Sequence, residues 1–498
     1  MKASFVGAGR VTINTRKTGL LVLIGLAFVV GVPPTVHAAV APPATAPPAG
    51  WVAKPPLRVA NYGKARLRAA ISNPSPQGYI PCDLRTAYYL NKVSETGSGQ
   101  LVAVVDAFAD PNSSSDLASF DSVFGLPAPP SVTIIAPFGT SATTPGNLQS
   151  WQLEESLDME WVHSIAPGAN LSLVEARSDG GQDLLNAVGY AVNTLHANVV
   201  SMSWGGSEFL GEKSFDTSFP NNSGVMFVAA AGDSGSGAEW PSISANVLSV
   251  GGTSLSSTAT GDGTSTHTSC AGTGTGSNSS LETAWSGSGG GISAFESIPG
   301  YQNSYTGPVY GAASISALTG GKRATPDVAA VADPNTGVAV YDTAGYGYGG
   351  QTGWFQVGGT SLATPVWAAL LAVVDQQRAS AGAPDLSLGA NDGTSPIYSI
   401  APRAFIDITS GSNGGCGTNC IAVAGYDLVT GVGSPIATRF RSREPAAQSA
   451  PASPPSRLPV KQSSPAPTPG PRTTFQPAAR LSSVPHRPTV SASPRKQF

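Results

Sequence analysis

Short β-branched runs that alternate with helical segments constrain this chain more than any other feature. Residues 101–105 (Leu-Val-Ala-Val-Val) read as a buried strand ending at Asp106, and 131–136 as another. A helix is expected over 151–165, a strand over 171–174 and a helix over 182–195. Further strands are expected over 199–203, 225–231 and 247–250. Apolar runs of this kind are buried on both faces, and strands separated by helices pair in parallel. The expected class is α/β, a mostly parallel central sheet with helices on both faces. In such a sheet functional side chains gather at the carboxyl ends of strands, where Asp106, Trp204 and Asp233 fall.

The stretch Gly358-Gly359-Thr360-Ser361-Leu362-Ala363-Thr364-Pro365 follows a short apolar run and precedes the apolar residues 366–374. It reads as a strand or loop, a glycine turn and a buried helix, with Pro365 in the first helical turn. Ser361 then sits among the free N–H groups at a helix N-terminus, a setting for a nucleophile or for a simple N-cap. A serine nucleophile needs a base. The histidines are His37, His163, His196, His267 and His486, and none has the His-Gly-Thr setting of subtilisin-like enzymes. The acid-dense stretch Glu154-Glu155-Ser156-Leu157-Asp158-Met159-Glu160 offers carboxylates instead. On a helix Glu154 and Asp158 share a face, so their like charges raise one pKa and give a base suited to acid pH. The third piece is the turn Gly232-Asp233-Ser234-Gly235 after a buried strand. Subtilisin-like enzymes place an Asn in such a turn to donate to the oxyanion; an Asp does this only when protonated.

Together these pieces resemble the sedolisin family of serine-carboxyl peptidases, over residues 79–436. The matching segments are Val104-Val105-Asp106, the 154–158 stretch with Ala166-Pro167-Gly168-Ala169, and Ser201-Met202-Ser203-Trp204-Gly205. Gly232-Asp233-Ser234-Gly235, Gly251-Gly252-Thr253, Pro326-Asp327-Val328 and Gly359-Thr360-Ser361 continue the series. The resemblance implies a subtilisin-like fold with Ser361 as nucleophile, Glu154 as its general base, Asp158 as the acid that orients Glu154, and Asp233 as the oxyanion acid. Asp106 and Trp204 would extend the network behind Asp158. It also implies one structural Ca²⁺, held by the carboxylates of Asp407 and Asp427 and the carbonyls of Ile408, Val423 and Gly425; six to eight oxygens suit that ion. The chain departs from the family in having about forty residues where a long folded pro-domain usually precedes the catalytic domain.

The ends are distinct in composition. Lys2, Arg10, Arg16 and Lys17, an apolar run over 20–32 and Val36-His37-Ala38 read as a secretory signal peptide over 1–38. Residues 39–76 are Ala/Pro-rich, a flexible linker or short pro-segment, and 77–439 form the peptidase domain. From 440 to 498 a basic Pro/Ser-rich tail is expected to be disordered, with cell-surface contact open to it. Residues 251–291, dense in Gly, Ser and Thr, read as an extended surface loop region. In an exported chain Cys416 and Cys420 are expected to pair by proximity, which leaves Cys82 and Cys270 for each other. The net charge of -3 argues against nucleic acid. The chain therefore reads as a secreted, monomeric, acid-acting endopeptidase on protein or peptide substrates, with no membrane span once the signal is cleaved. Alternatives are a tripeptidyl-peptidase, an inactive peptide- or cell-wall-binding relative, and a neutral protease using Asp106, His163 and Ser361.

Overall fold

The computed structural model describes residues 47–48, 50–60, 75–221, 224–257, 280–309, 311–344, 351–383, 385–386 and 396–440. The expected signal peptide, Cys270 and all of the tail after Phe440 lie outside them. Phe440 packs against Trp367 and Phe405.

The central sheet has eight strands. They are β2 (Leu101–Ala107), β3 (Val132–Ile135), β4 (Asn170–Ala176), β5 (Val199–Met202), β6 (Met226–Ala230), β7 (Leu248–Ser257), β8 (Ser280–Ala284) and β9 (Val328–Val331). The order is β8-β7-β6-β5-β2-β4-β3, with β9 also on β7. All pairs are parallel except β7 with β8. Alternate residues of β2 serve the two faces. Val102 and Val104 join the cluster with helices α2 (Pro145–Ile165) and α4 (Thr360–Ser380); Ala103 and Val105 join the one with α3 (Gly181–Asn193). Helix α1 (Ser113–Phe124) packs on α2 through Phe120 and Trp161. A smaller sheet joins β1 (Arg58–Val59), β11 (Gly353–Gly358) and β10 (Val338–Asp342).

Helix α2 starts before the expected residue 151, because Thr144 caps it through Asn147 N and Pro145 fits the first turn. The Gly/Ser/Thr-rich stretch is not all surface loop. β7 continues to Ser257 with Thr253 and Leu255 buried, and β8 pairs with it. Small residues there hide the alternation that marks a strand. The 287–291 glycine run is packed as well: a Cβ on Gly289 would lie 1.8 Å from Ala231 O. Pro365 is not in the first turn of α4, which begins at Thr360. It lies inside the helix and withholds the N–H that Ser361 O would normally receive. Part of the segment read as linker or short pro-segment, residues 50–60, lies extended on the domain and supplies β1. Cys416 and Cys420 are joined through their sulfurs; Cys82 is also disulfide-bonded. Among the described residues no helix is long and apolar enough to cross a membrane.

Candidate active site

Ser361 is held by the entry into α4. Its N-cap is Gly359, at φ 109° and ψ 163°, so Ser361 is a second-position residue with its hydroxyl free and not the cap. The turn needs glycine twice over. The φ is one that side chains avoid, and a Cβ would lie 2.0 Å from Pro56 O and 2.7 Å from Asp233 Oδ2. Behind the turn α4 is apolar all round, and Leu362 to Val374 are buried without exception. Each such Val or Leu contributes about 1.5–3 kcal/mol on burial, so the helix is a fixed mount for the serine.

Glu154 and Asp158 lie one turn apart on α2, both fully buried. Burial pushes the Glu154 carboxyl well above its ordinary range. Asp158, Asp106 and Asp233 push it further, while the neighbouring Ser361 hydroxyl favours its charged form. The contact is looser than a closed hydrogen bond: Ser361 Oγ and both Glu154 oxygens lack a partner of hydrogen-bond geometry among the described residues. Such contacts tighten when substrate fills the site. Burial, then the Asp106 charge, also raises Asp158. Asp106, at the end of β2, is itself raised by burial.

Ser203, just past β5, ties this carboxyl row to the Ser361 backbone. Its Oγ is 2.9 Å from Asp158 Oδ1 and 3.2 Å from Ser361 O, the carbonyl that Pro365 leaves without a helical donor. A hydroxyl has one proton. Ser203 donates to Asp158 Oδ1 or to Ser361 O, and the shorter contact to Asp158 favours that carboxyl's charged form against burial. Trp204 sets the strand end, its indole N–H donating to Val105 O at 2.9 Å.

Asp233 approaches from the other side, on the turn after β6. Its Oδ1 accepts from Thr360 N at 2.8 Å and Thr360 Oγ1 at 3.0 Å, which leaves Oδ2 without a hydrogen-bond partner among the described residues. Burial raises its pKa to about 8, against the Thr360 donors and the Arg58 guanidinium. It is therefore a carboxylic acid at neutral and acid pH. His163 is elsewhere: Nε2 is 2.7 Å from Pro127 O and 3.4 Å from Asp121. Nine residues along α2 from Glu154 is about half a turn round the helix, so His163 faces away from Ser361.

The residues expected to hold calcium meet at the 423–430 loop. Asp407 Oδ2 accepts from Gly425 N, and Asp427 accepts from the N–H groups of Val423, Val429 and Thr430, all at 2.8–2.9 Å. Two carboxylates and carbonyls from one tight loop fit a hard cation that takes oxygen ligands. A separate cluster escaped the sequence reading: Asp110, Asp116 and Asp342 bring carboxylate oxygens within 4.8 Å of one another. Asp110 and Asp116 are near neighbours at the start of α1, and the distant Asp342 reaches them only through the β10–α1 contact. Ser203, Thr360 and Arg58 were missed as site residues too, since a lone hydroxyl or a basic residue in a Pro-rich run carries no signal of its own.

A seryl hydroxyl on a helix N-terminus, at the edge of a parallel sheet and facing a buried carboxyl, defines a serine-type peptidase of subtilisin-like fold. Residues 140–387 match the Subtilase family. Kumamolisin from Bacillus sp. (strain MN-32) is 30% identical over 409 residues, 78% of this chain and 68% of kumamolisin. Tripeptidyl-peptidase sed1 of Aspergillus fumigatus is 39% identical over 114 residues, 23% of this chain and 15% of that protein. Among solved structures, Pseudomonas sedolisin, a serine-carboxyl proteinase complexed with pseudo-iodotyrostatin, superposes with a TM-score of 0.57 at 27% identity. The match covers 74% of this chain and 97% of that one. This chain belongs to the sedolisin family of serine-carboxyl peptidases.

Proposed function

We propose that the chain is a secreted, acid-acting endopeptidase that cleaves peptide bonds through Ser361, Glu154 and Asp158, with Asp233 as oxyanion acid. The observation that carries this reading is the Ser361 hydroxyl beside a buried Glu154 whose neighbours are carboxyls. Ser361 Oγ attacks the substrate carbonyl carbon, and Glu154 takes the hydroxyl proton. A proton held on Asp158 lets the row carry a single negative charge, on Glu154. Protonated Asp233 donates from Oδ2 to the oxygen that becomes negative, and the Ser361 N–H at the helix N-terminus adds a second donor. Glu154 then passes the proton to the departing amine. Water, activated by the same carboxylate, releases the acyl group from Ser361.

Asp407, Asp427 and the carbonyls of Ile408, Val423 and Gly425 would hold one Ca²⁺, which would brace the loop that follows the catalytic domain's last strands. Export agrees with the basic and apolar N-terminus, and the paired cysteines agree with an oxidising compartment.

The test is trapping of the acyl-enzyme. Acid quench of the enzyme with an activated ester, followed by peptide mass mapping, is expected to put the acyl group on Ser361 and to leave the Ser361→Ala protein unlabelled. Label on another residue would reject the nucleophile. A tripeptidyl-peptidase activity is the second reading, favoured by the likeness to one such enzyme. Tripeptides released stepwise from a long peptide's free amino end, in place of internal fragments, would establish it.

A further inference from the structure

The turn that carries Asp233 has little packing of its own. Ser234, Ser236 and Gly237 are exposed and Gly235 is half-buried, so backbone bonds hold the turn and no apolar core does. One set of bonds comes from the 287–290 glycine run. Gly235 N donates to Gly287 O at 2.9 Å, and Gly289 N donates to Gly232 O at 2.7 Å. Gly237 and Gly290 exchange both backbone bonds, at 2.8 and 2.9 Å. The other attachment comes from a hairpin over residues 411–422, in which Ser412 bridges Ile421 in antiparallel sense. Ser236 N donates to Asn413 O at 2.8 Å. The approach is close, since a Cβ on Gly235 would lie 2.7 Å from that same oxygen.

Asn413 closes this clasp. It is buried, while its neighbours Ser412, Gly414 and Gly415 are exposed. Its Nδ2 donates to Ser288 O at 2.9 Å. Ser288 Oγ in turn accepts from Gly252 N of β7 at 2.8 Å. One residue therefore joins the Asp233 turn to the glycine run that clasps it and, through Ser288, to the central sheet. The base of the hairpin is fixed on β8, where Ser410 O accepts from Ala284 N at 2.8 Å. Its tip holds Gly414, Gly415 and Gly417, which leave an untied chain many conformations. The disulfide between Cys416 and Cys420 closes that tip, and Cys420 O accepts from Asn413 N at 3.0 Å. Cross-linking the tip removes the conformations in which Asn413 would be displaced.

We propose that Asn413 is a positioning residue for Asp233, and that the disulfide-closed hairpin over 411–422 is the brace that holds Asn413 in place. The inference rests on the peptidase reading, in which Asp233 donates to the oxyanion. Such a donor works only within a narrow range of distance from the oxygen it serves. A turn that loosens at Ser236 therefore loses rate before the domain loses its fold. Asn413 acts on the rate through Asp233 alone.

The experiment uses the full chain and two readouts. The first is amide hydrogen exchange in a Ser361→Ala background. The Ser236 amide is expected to be protected, and to exchange about tenfold faster when Cys416→Ser and Cys420→Ser are both present, with the β6 amides unchanged. The second is kcat and KM for a fluorogenic peptide. Asn413→Ala is expected to lower kcat roughly three- to tenfold, the worth of one net hydrogen bond, and to leave KM within about twofold. In an Asp233→Ala background the same substitution is expected to change kcat by less than about twofold, because a residue that acts through another is not additive with it. The paired Cys variant, which keeps Asn413, is expected to follow the same pattern in both backgrounds. Equal falls in kcat with and without Asp233 would make Asn413 a structural residue only and would overturn the proposal. Unchanged exchange at Ser236 in the paired Cys variant would overturn the brace. No hydrolysis by the folded wild type would reject the peptidase reading and the positioning role with it, while faster exchange at Ser236 would still establish the brace.

Discussion

On the proposed mechanism Asp233 has two tasks, one at each oxygen, and replacing it separates them. Oδ1 accepts from Thr360 N and Oγ1; Oδ2 has no hydrogen-bond partner among the described residues. In Asp233→Asn the amide oxygen keeps both Thr360 bonds and the NH₂ takes the place of Oδ2 as a permanent donor. Stability should change little, and activity should persist. The pH profile should change in form. Asp233 donates only while protonated, so in the wild type its help is present below about pH 8 and fades as pH rises through that value. The Asn variant has no proton to lose there, and its alkaline fall should move or vanish. Asp233→Ala removes both functions. Loss of one oxyanion donor costs about 2.7–4 kcal/mol of transition-state stabilisation, a fall in kcat of roughly 10²–10³-fold. The Thr360 N–H, left buried without an acceptor, costs about 1–3 kcal/mol of stability as well. The assay is kcat and kcat/KM across pH for the three proteins, with thermal melting in parallel. An Ala variant that melts early but keeps kcat within a few-fold of wild type would refute the oxyanion role. So would an Asn variant with an unchanged alkaline fall.

Other outcomes follow from the same structure. Buried and half-buried carboxyls with raised pKa, among them Asp375 and Glu239, both at about 7, hold protons in the folded state that the unfolded chain releases near pH 4. Stability should be full below pH 4 and decline as pH rises to 7, by up to about 1.4 kcal/mol per unit for each group; melting scans over pH 3–8 measure it, and a rise across that window would contradict it. Arg323 and Asp327 form a fully buried two-bond pair, at 2.7 and 2.6 Å, and Asp327 also accepts from Ser249 N and Tyr398 OH. Asp327→Ala should cost about 3–5 kcal/mol, because it strands a buried guanidinium; denaturant titration reads the loss. A chelator should lower the melting temperature and excess Ca²⁺ restore it, with about 2.7 kcal/mol expected at a hundredfold excess over Kd. Asp427→Asn should abolish that response.

The parallel sheet was legible because β2, β5 and β6 are buried on both faces and are written almost wholly in apolar residues. The pairing of Glu154 with Asp158 follows from helical spacing alone. Ser361 stood out because a glycine turn opens an apolar helix, although the position of Pro365 inside that helix did not. The helix starts at Thr360, set by a Gly359 conformation that no sequence pattern reports. Ser203 became visible only through the carbonyl that Pro365 leaves open. The order of residues 51–59 was hidden for a different reason. The segment reads as linker or short pro-segment by composition, and its order comes from main-chain pairing to Gly180, Gly205 and Gly358 and from Trp51 and Leu57 packed on residues distant in the chain. The β7–β8 pair was obscured by Gly, Ser and Thr, whose small side chains fill a buried strand without marking it.

The most direct test of the account is peptide hydrolysis from pH 2 to 8 by the wild type and by Glu154→Gln, with both shown to be folded. Gln keeps the shape of Glu154 and cannot take the Ser361 proton. The account predicts acid-side activity in the wild type and a fall of roughly 10²–10⁴-fold in the variant, the usual contribution of a positioned base. Acid activity that survives the substitution would place the base elsewhere and contradict the account.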